Sequence, residues 1–291
     1  MGHAAINNSD VVDERCHACF RRVYTALLEK FQVDVSQAEL FLTELEIVVS
    51  RSTQSSPEIQ RELSKRFAVM FKKTDPFAEE KEISNRTALK LYKQWKPKVA
   101  ASEKPVDLAL RLAIAGNIMD YGASQSFNIY HTIQWVLSAQ FAIDHSELLT
   151  QKMANATQIL YLGDNAGEIV FDRLFIETMG AKHVVFAVKS GPVLNDVTVQ
   201  DAKESAITNV ATVISNGYDA PSTVLSRCSN QFLEIYRKAD VIISKGQGNF
   251  EGLIDERDER LFYLMMVKCD SIAEKLQVPV KSFVVMNSTR R

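Results

Sequence analysis

The chain has 291 residues, 46% of them hydrophobic, enough for a continuous core in one large domain or two ordinary ones. Its 34 lysines and arginines stand against 36 acidic residues, a net charge of -2, so no general positive field draws nucleic acid or an anionic membrane, and an anion must be met by a local site. Charges break the apolar stretches well short of the roughly 20 residues that span a bilayer, and the opening MGHAAINNSDVVDE lacks a basic-then-apolar export pattern, so a cytoplasmic protein is expected.

Near the start, Cys16 and Cys19 frame His17 in a single CxxC with no second pair downstream. Structural zinc sites use four ligands, so the expected reading is one turn of helix carrying two thiols. From about residue 13 to 154 apolar residues recur at helical spacing. Segments are expected to start after Ser36, after Ser56-Pro57 and at Pro105, because serine caps helix N-termini and proline suits the first turn. Another follows Asp75-Pro76, through Leu89, Leu91, Tyr92 and Trp95.

Near residue 157 the pattern changes to short apolar runs alternating with helical segments. The runs are QILYLG (158–163), HVVFAVK (183–189), ATVIS (211–215), DVIIS (240–244) and KSFVVM (281–286). Helices are expected between them, including IVFDRLFIETM, DAKESAI, FLEIYRKA and the long RLFYLMMVKCDSIAEKL. The expected fold is α/β: a Rossmann-like, doubly wound, mainly parallel sheet of about five strands in residues 156–291, preceded by an all-helical domain in residues 1–155.

In such sheets ligands collect beyond the carboxyl ends of the strands. Three of those ends are rich in polar groups: Asp164-Asn165, the stretch Ser190 to Asp196, and the stretch Lys245 to Glu251. A hard divalent cation prefers oxygen ligands and keeps several waters, so Asp164, Asn165 and Asp196 would suffice to hold one. Such a metal would polarise a phosphate ester and activate water for in-line attack. Lys245 is expected to neutralise a phosphate oxygen, with the unhindered N–H groups of Gly246, Gln247 and Gly248 beside it. Plain helix starts compete with this reading, since Asn165 with Glu168 and Thr198 with Asp201 both have capping-box spacing. Asp201 then has a local duty while Asp196 stays in the loop, which favours Asp196 as third ligand over Asp201. Asp164 has no such duty. GxSxG, HExxH and Walker A patterns are missing, and the histidines at 3, 17, 131, 145 and 183 show no ligand spacing.

GDNAGEIVFD (163–172), GPVLNDVTVQDA (191–202) and SKGQGNFEG (244–252), in this order, resemble the damage-control phosphatases, a family first catalogued as a domain of unknown function. DPFAEEK (75–81) and AGNIMDYG (115–122) also resemble family segments, and CHAC (16–19) resembles the CxxC of the prokaryotic branch. The resemblance spans nearly the whole chain. It implies a metal-dependent phosphatase acting on small phosphate esters, including sugar phosphates and damaged phosphometabolites, with Mg²⁺, Mn²⁺, Co²⁺ or Ni²⁺ held by Asp164, Asn165 and Asp196. Lys245 then corresponds to the phosphate-contacting lysine. Asn195, Glu168 and Glu251 fall in matching motifs, and Asn117 and Asp120 are candidates for the same cleft or for tying a helix end to the loop at Gly122. Two other readings stay open. One is a nucleotide- or S-adenosylmethionine-binding protein, from the strand followed by LGDNAG; the other is a non-catalytic sensor of phosphometabolites.

Overall fold

The computed structural model describes residues 13–51, 54–116, 129–181 and 183–290. Two compact units emerge, Met1–Pro76 and Phe77–Arg291. The first holds α1 (Glu14–Lys30), α2 (Val35–Arg51) and α3 (Ser56–Phe71). Its core is aromatic: Phe41 stands edge-on to Phe67, with ring centroids 5.4 Å apart, and Tyr24 packs on both. Burial of the Tyr24 hydroxyl is tolerated because it accepts a 2.7 Å bond from the Gln60 amide. The cap of α3 is Ser55, one residue before the expected Ser56, with its N–H and hydroxyl both donating to Glu58. Cys16 and Cys19 lie one turn apart on α1.

The second unit contains α4 (Ala78–Ala100), α5 (Pro105–Gly116), α6 (Ile129–Ser138), β1 (Ile143–Asp144), α7 (Ser146–Asn155), β2 (Ile159–Leu162), α8 (Glu168–Met179), β3 (Val184–Val188) and α9 (Val199–Glu204). It continues through β4 (Thr212–Ser215), α10 (Asn230–Lys238), β5 (Val241–Lys245), α11 (Gly246–Gly252), β6 (Leu261–Met266), α12 (Asp270–Leu276) and β7 (Phe283–Asn287). Among the described residues these strands form one sheet in the order β1-β7-β6-β5-β2-β3-β4, with all pairs parallel except β6 with β7. The five expected strands are present, and two more join them. No helix among the described residues is long and apolar enough to cross a membrane.

Alternate residues of each central strand enter different layers, as the two-residue period requires. Ile159 and Tyr161 of β2 meet α4, α5 and α8 in one core, while Leu160 and Leu162 meet α10 and α12 in the other. That arrangement corrects two expectations. Residues Leu261–Met266 form β6 and not the start of a long helix: nearly all are buried, and an apolar run covered on both faces has no period to distinguish it from buried helix. Helices α4 and α5 fall on the expected helical side of residue 155, yet they belong to the sheet's core. Ala109, Ala113 and Ala115 are small enough for α5 to lie close on α8, and a Cβ on Gly116 would stand 3.1 Å from the Glu168 Cα.

The chain runs from β2 outward to β3 and β4, then returns to place β5 on the other side of β2. The order therefore reverses between β2 and β5, and the crevice of an open sheet lies at such a point.

Candidate functional site

Gly163 leads β2 into its loop under the ring of Phe186, where any Cβ would come within 2.5 Å of a ring carbon. Asp164 and Asn165 follow, each 6% exposed. The loop after β3 is clipped to them by main chain: Val197 N–H donates to Asp164 O at 2.8 Å, Ala166 N–H donates to Asn195 O at 2.9 Å, and Asn165 and Asp196 form a single antiparallel bridge. Asp164, Asn165 and Asp196 are thereby brought together, with Asp196 only 3% exposed. Asn195 contributes its carbonyl to the clip.

Both capping alternatives are now placed. Thr198 N–H and its hydroxyl donate to Asp201 at 2.9 and 2.7 Å, and Lys81 and Asn85 of α4 donate to the same carboxylate, so Asp201 is committed to holding α9. At α8 the capping residue is Gly167, not Asn165. The Asn165 side-chain N–H₂ instead donates to Asp164 Oδ2 at 2.7 Å and to Glu168 Oε2 at 3.2 Å.

Helix α4 also grips this loop from outside, where Asn85 Oδ1 accepts the Gly167 N–H at 2.7 Å and Ser84 Oγ donates to Ala166 O at 3.2 Å. Gly167 has φ +79°, and a Cβ there would sit 2.1 Å from Ser84 Oγ. A Gly167→Ala variant is expected to lose about 1–3 kcal/mol, from a left-handed backbone that disfavours a side chain together with displacement of Ser84. Urea unfolding checks this, and an unchanged midpoint would contradict the close approach.

Lys245 departs from its expected direction. Its ammonium is wholly buried and its three donors go to Glu168 Oε1 at 2.6 Å, Asp172 Oδ1 at 2.5 Å and Ala113 O at 3.0 Å. None remains for a phosphate in this arrangement. Tyr161 also donates to Asp172 Oδ1, at 2.7 Å, while Asp172 Oδ2 has no hydrogen-bond partner among the described residues. Burial, with the neighbouring Glu168 carboxylate, pushes Asp172 from 3.8 up to about 7 despite the attraction of Lys245. Burial alone would lower the Lys245 pKa, but the two carboxylates hold it above its ordinary value.

A lysine that sequence reasoning passed over does reach one of the carboxylates. Lys189, following β3 and 2% exposed, places Nζ 3.5 Å from Asp196 Oδ2 and donates to Asn249 Oδ1 at 2.8 Å. Its signal was available: it ends the apolar run HVVFAVK at the carboxyl edge. Asn249 is saturated. Its Oδ1 also accepts from Thr223, and its Nδ2 donates to Gly163 O and Lys245 O, so one amide joins the ends of β2, β3 and β5.

Gly246 and Gly248 begin α11 directly, where an open loop was expected. Gly246 has φ +75°, and a Cβ on Gly248 would meet Pro221 O at 2.3 Å and Asp164 Oδ1 at 3.8 Å, so this bare backbone lies beside the acidic loop. Glu251, raised in pKa by burial, accepts from Gln247, whose other bonds run to Cys269 Sγ and the Lys268 N–H after β6. Asn117 and Asp120 lie outside the described residues.

The fit to a metal rests on chemistry. Among the described residues no group of three His, Cys, Asp or Glu side chains is placed to hold one. Two carboxylates and an amide oxygen form an all-oxygen set, poor for zinc and suited to a hard cation that keeps its waters.

The chain matches the model of the damage-control phosphatase ARMT1-like domain over residues 12–284. A damage-control phosphatase of Pyrococcus horikoshii is 37% identical over 218 residues, 74% of this chain and 75% of that one. An uncharacterised protein of Methanocaldococcus jannaschii is 38% identical over 226 residues, 73% of each chain, and a damage-control phosphatase of Archaeoglobus fulgidus is 27% identical over 215 residues, 72% of this chain and 75% of its own. The crystal structure of a DUF89-family protein from Pyrococcus horikoshii superposes with a TM-score of 0.85 at 31% identity, covering 95% of this chain and 99% of that one. With the fold, the loop motifs and these relatives in agreement, the chain belongs to the damage-control phosphatase ARMT1-like family.

Proposed function

We propose that this protein is a divalent-metal-dependent phosphatase hydrolysing small phosphate esters, sugar phosphates or damaged phosphometabolites, in the cytoplasm. The observation that carries the reading is the main-chain clip that gathers Asp164, Asn165 and Asp196 at the reversal point of the sheet. A cation held by those three would neutralise phosphoryl charge and acidify water. The protein's own groups do the rest. Lys189 steadies Asp196 and adds positive charge beside the acidic loop, and Asn249 holds the three strand ends in place.

Two carboxylates at the reversal point oppose the bare pyrophosphate of a dinucleotide, which disfavours the nucleotide-binding alternative. Chelation with EDTA is expected to abolish turnover of p-nitrophenyl phosphate, and added Mg²⁺, Mn²⁺, Co²⁺ or Ni²⁺ to restore it. A panel of sugar phosphates then ranks the substrates. Undiminished hydrolysis after chelation, or tight S-adenosylmethionine binding without metal-stimulated hydrolysis, would overturn the proposal.

A further inference from the structure

The buried charges behind the loop have no place in the proposed chemistry, yet they touch one of its ligands. Lys245 fixes Glu168 Oε1 at 2.6 Å, and the second oxygen of that carboxylate, Oε2, accepts from the Asn165 side-chain N–H₂ at 3.2 Å and from its backbone N–H at 3.4 Å. The same N–H₂ donates to Asp164 Oδ2 at 2.7 Å. Glu168 and Lys245 are both wholly buried, so this orientation is not averaged by water. An amide has one face that donates and one that accepts, and a cation takes only the accepting face.

We infer that Glu168, braced by Lys245, is a positioning residue that decides which way the Asn165 amide faces, turning its nitrogen inward and presenting Oδ1 as a cation ligand. The inference rests on the metal-dependent reading above and extends it to residues that do not touch substrate. It also gives Lys245 a role in the site although its ammonium is out of reach of a phosphate. Both Glu168 oxygens act as acceptors, from Lys245 and from Asn165, so the Asn165 nitrogen is the face it selects. A glutamine of the same shape would accept from Lys245 with its oxygen and present N–H₂ to Asn165, reversing the preferred orientation and aiming a donor where the cation belongs.

The test is a double-mutant cycle read by calorimetric Mn²⁺ titration of the full-length, chelator-stripped protein, with circular dichroism confirming the fold. Glu168→Gln is expected to weaken Mn²⁺ binding by roughly 10–100-fold, the usual effect of losing a partner behind a metal ligand, and saturating Mn²⁺ should recover most of the turnover number. In an Asn165→Ala background the same substitution should change affinity by less than about threefold, because Glu168 acts through the amide. Should Glu168→Gln not fold, Glu168→Asp takes its place, a carboxylate too short to reach both Lys245 and Asn165. Equal losses in both backgrounds would show a plain charge effect and overturn the inference. So would unchanged affinity in a parent that binds Mn²⁺ and hydrolyses phosphate esters. A parent that binds no divalent cation overturns the metal-dependent reading and this inference together.

Discussion

Lys245→Met is expected to lose about 3–5 kcal/mol of stability, because removing one partner of a buried ionic cluster leaves uncompensated charge in the interior. Two carboxylates, Glu168 and Asp172, would remain where no water reaches them, with the Ala113 carbonyl also losing its donor. The deficit should depend on pH. A carboxyl group whose folded-state pKa is raised contributes stability that is fully present below its unfolded pKa and is lost as pH rises through the folded value. Asp172 already behaves this way in the parent, losing its contribution between its ordinary 3.8 and about 7. Without the ammonium, the attraction that opposes the rise at Asp172 is gone, so Asp172 is pushed further up and the variant should approach the parent as the solution is made more acidic. Urea unfolding followed by tryptophan fluorescence at pH 5.5 and pH 8 provides the comparison. A loss below 1 kcal/mol, or the same loss at both pH values, would mean that the cluster is not held by this lysine.

Asp164→Ala should do the opposite to the two quantities. Hydrolysis of p-nitrophenyl phosphate is expected to fall about 10³-fold or more at saturating Mn²⁺, since the substitution removes a charged ligand from a centre whose chemistry is electrostatic. The fold should survive. The loop of Asp164 is clipped to the separate loop of Asp196, so deleting one carboxylate lowers the negative charge gathered there in the metal-free protein, and the melting temperature should hold or rise. The backbone clip is unaffected because it uses the Asp164 carbonyl and not its side chain. Activity within tenfold of the parent would remove Asp164 from the site.

These residues differ in how far the sequence announced them. The convergence of the loops carrying Asp164, Asn165 and Asp196 was legible because strand ends in an open sheet are where polar loops gather, and the capping duty of Asp201 was legible from its spacing to Thr198. The direction of Lys245 was not taken from the sequence, although strand parity contained it. Val241 and Ile243 pack in the layer of α8, and Lys245, two residues on, must point the same way, beneath the loop and not over it. Ser84 and Asn85 had no local signal, since their partners at 166 and 167 are more than 80 residues away and only the packing of α4 unites them. Strand β1 was missed for a different reason. Its two residues pair with β7 but are too short to show any period.

Asn249 carries a consequence for how the crevice opens. With all four of its hydrogen-bonding positions occupied, the ends of β2, β3 and β5 cannot separate one at a time, since releasing any one of them strips the others of a partner. Local opening there becomes nearly as costly as unfolding the sheet, and amide protons around Gly163 should exchange on that slow timescale. An arriving ester therefore meets a floor whose chain entropy was lost during folding, and little further ordering of this region opposes its binding.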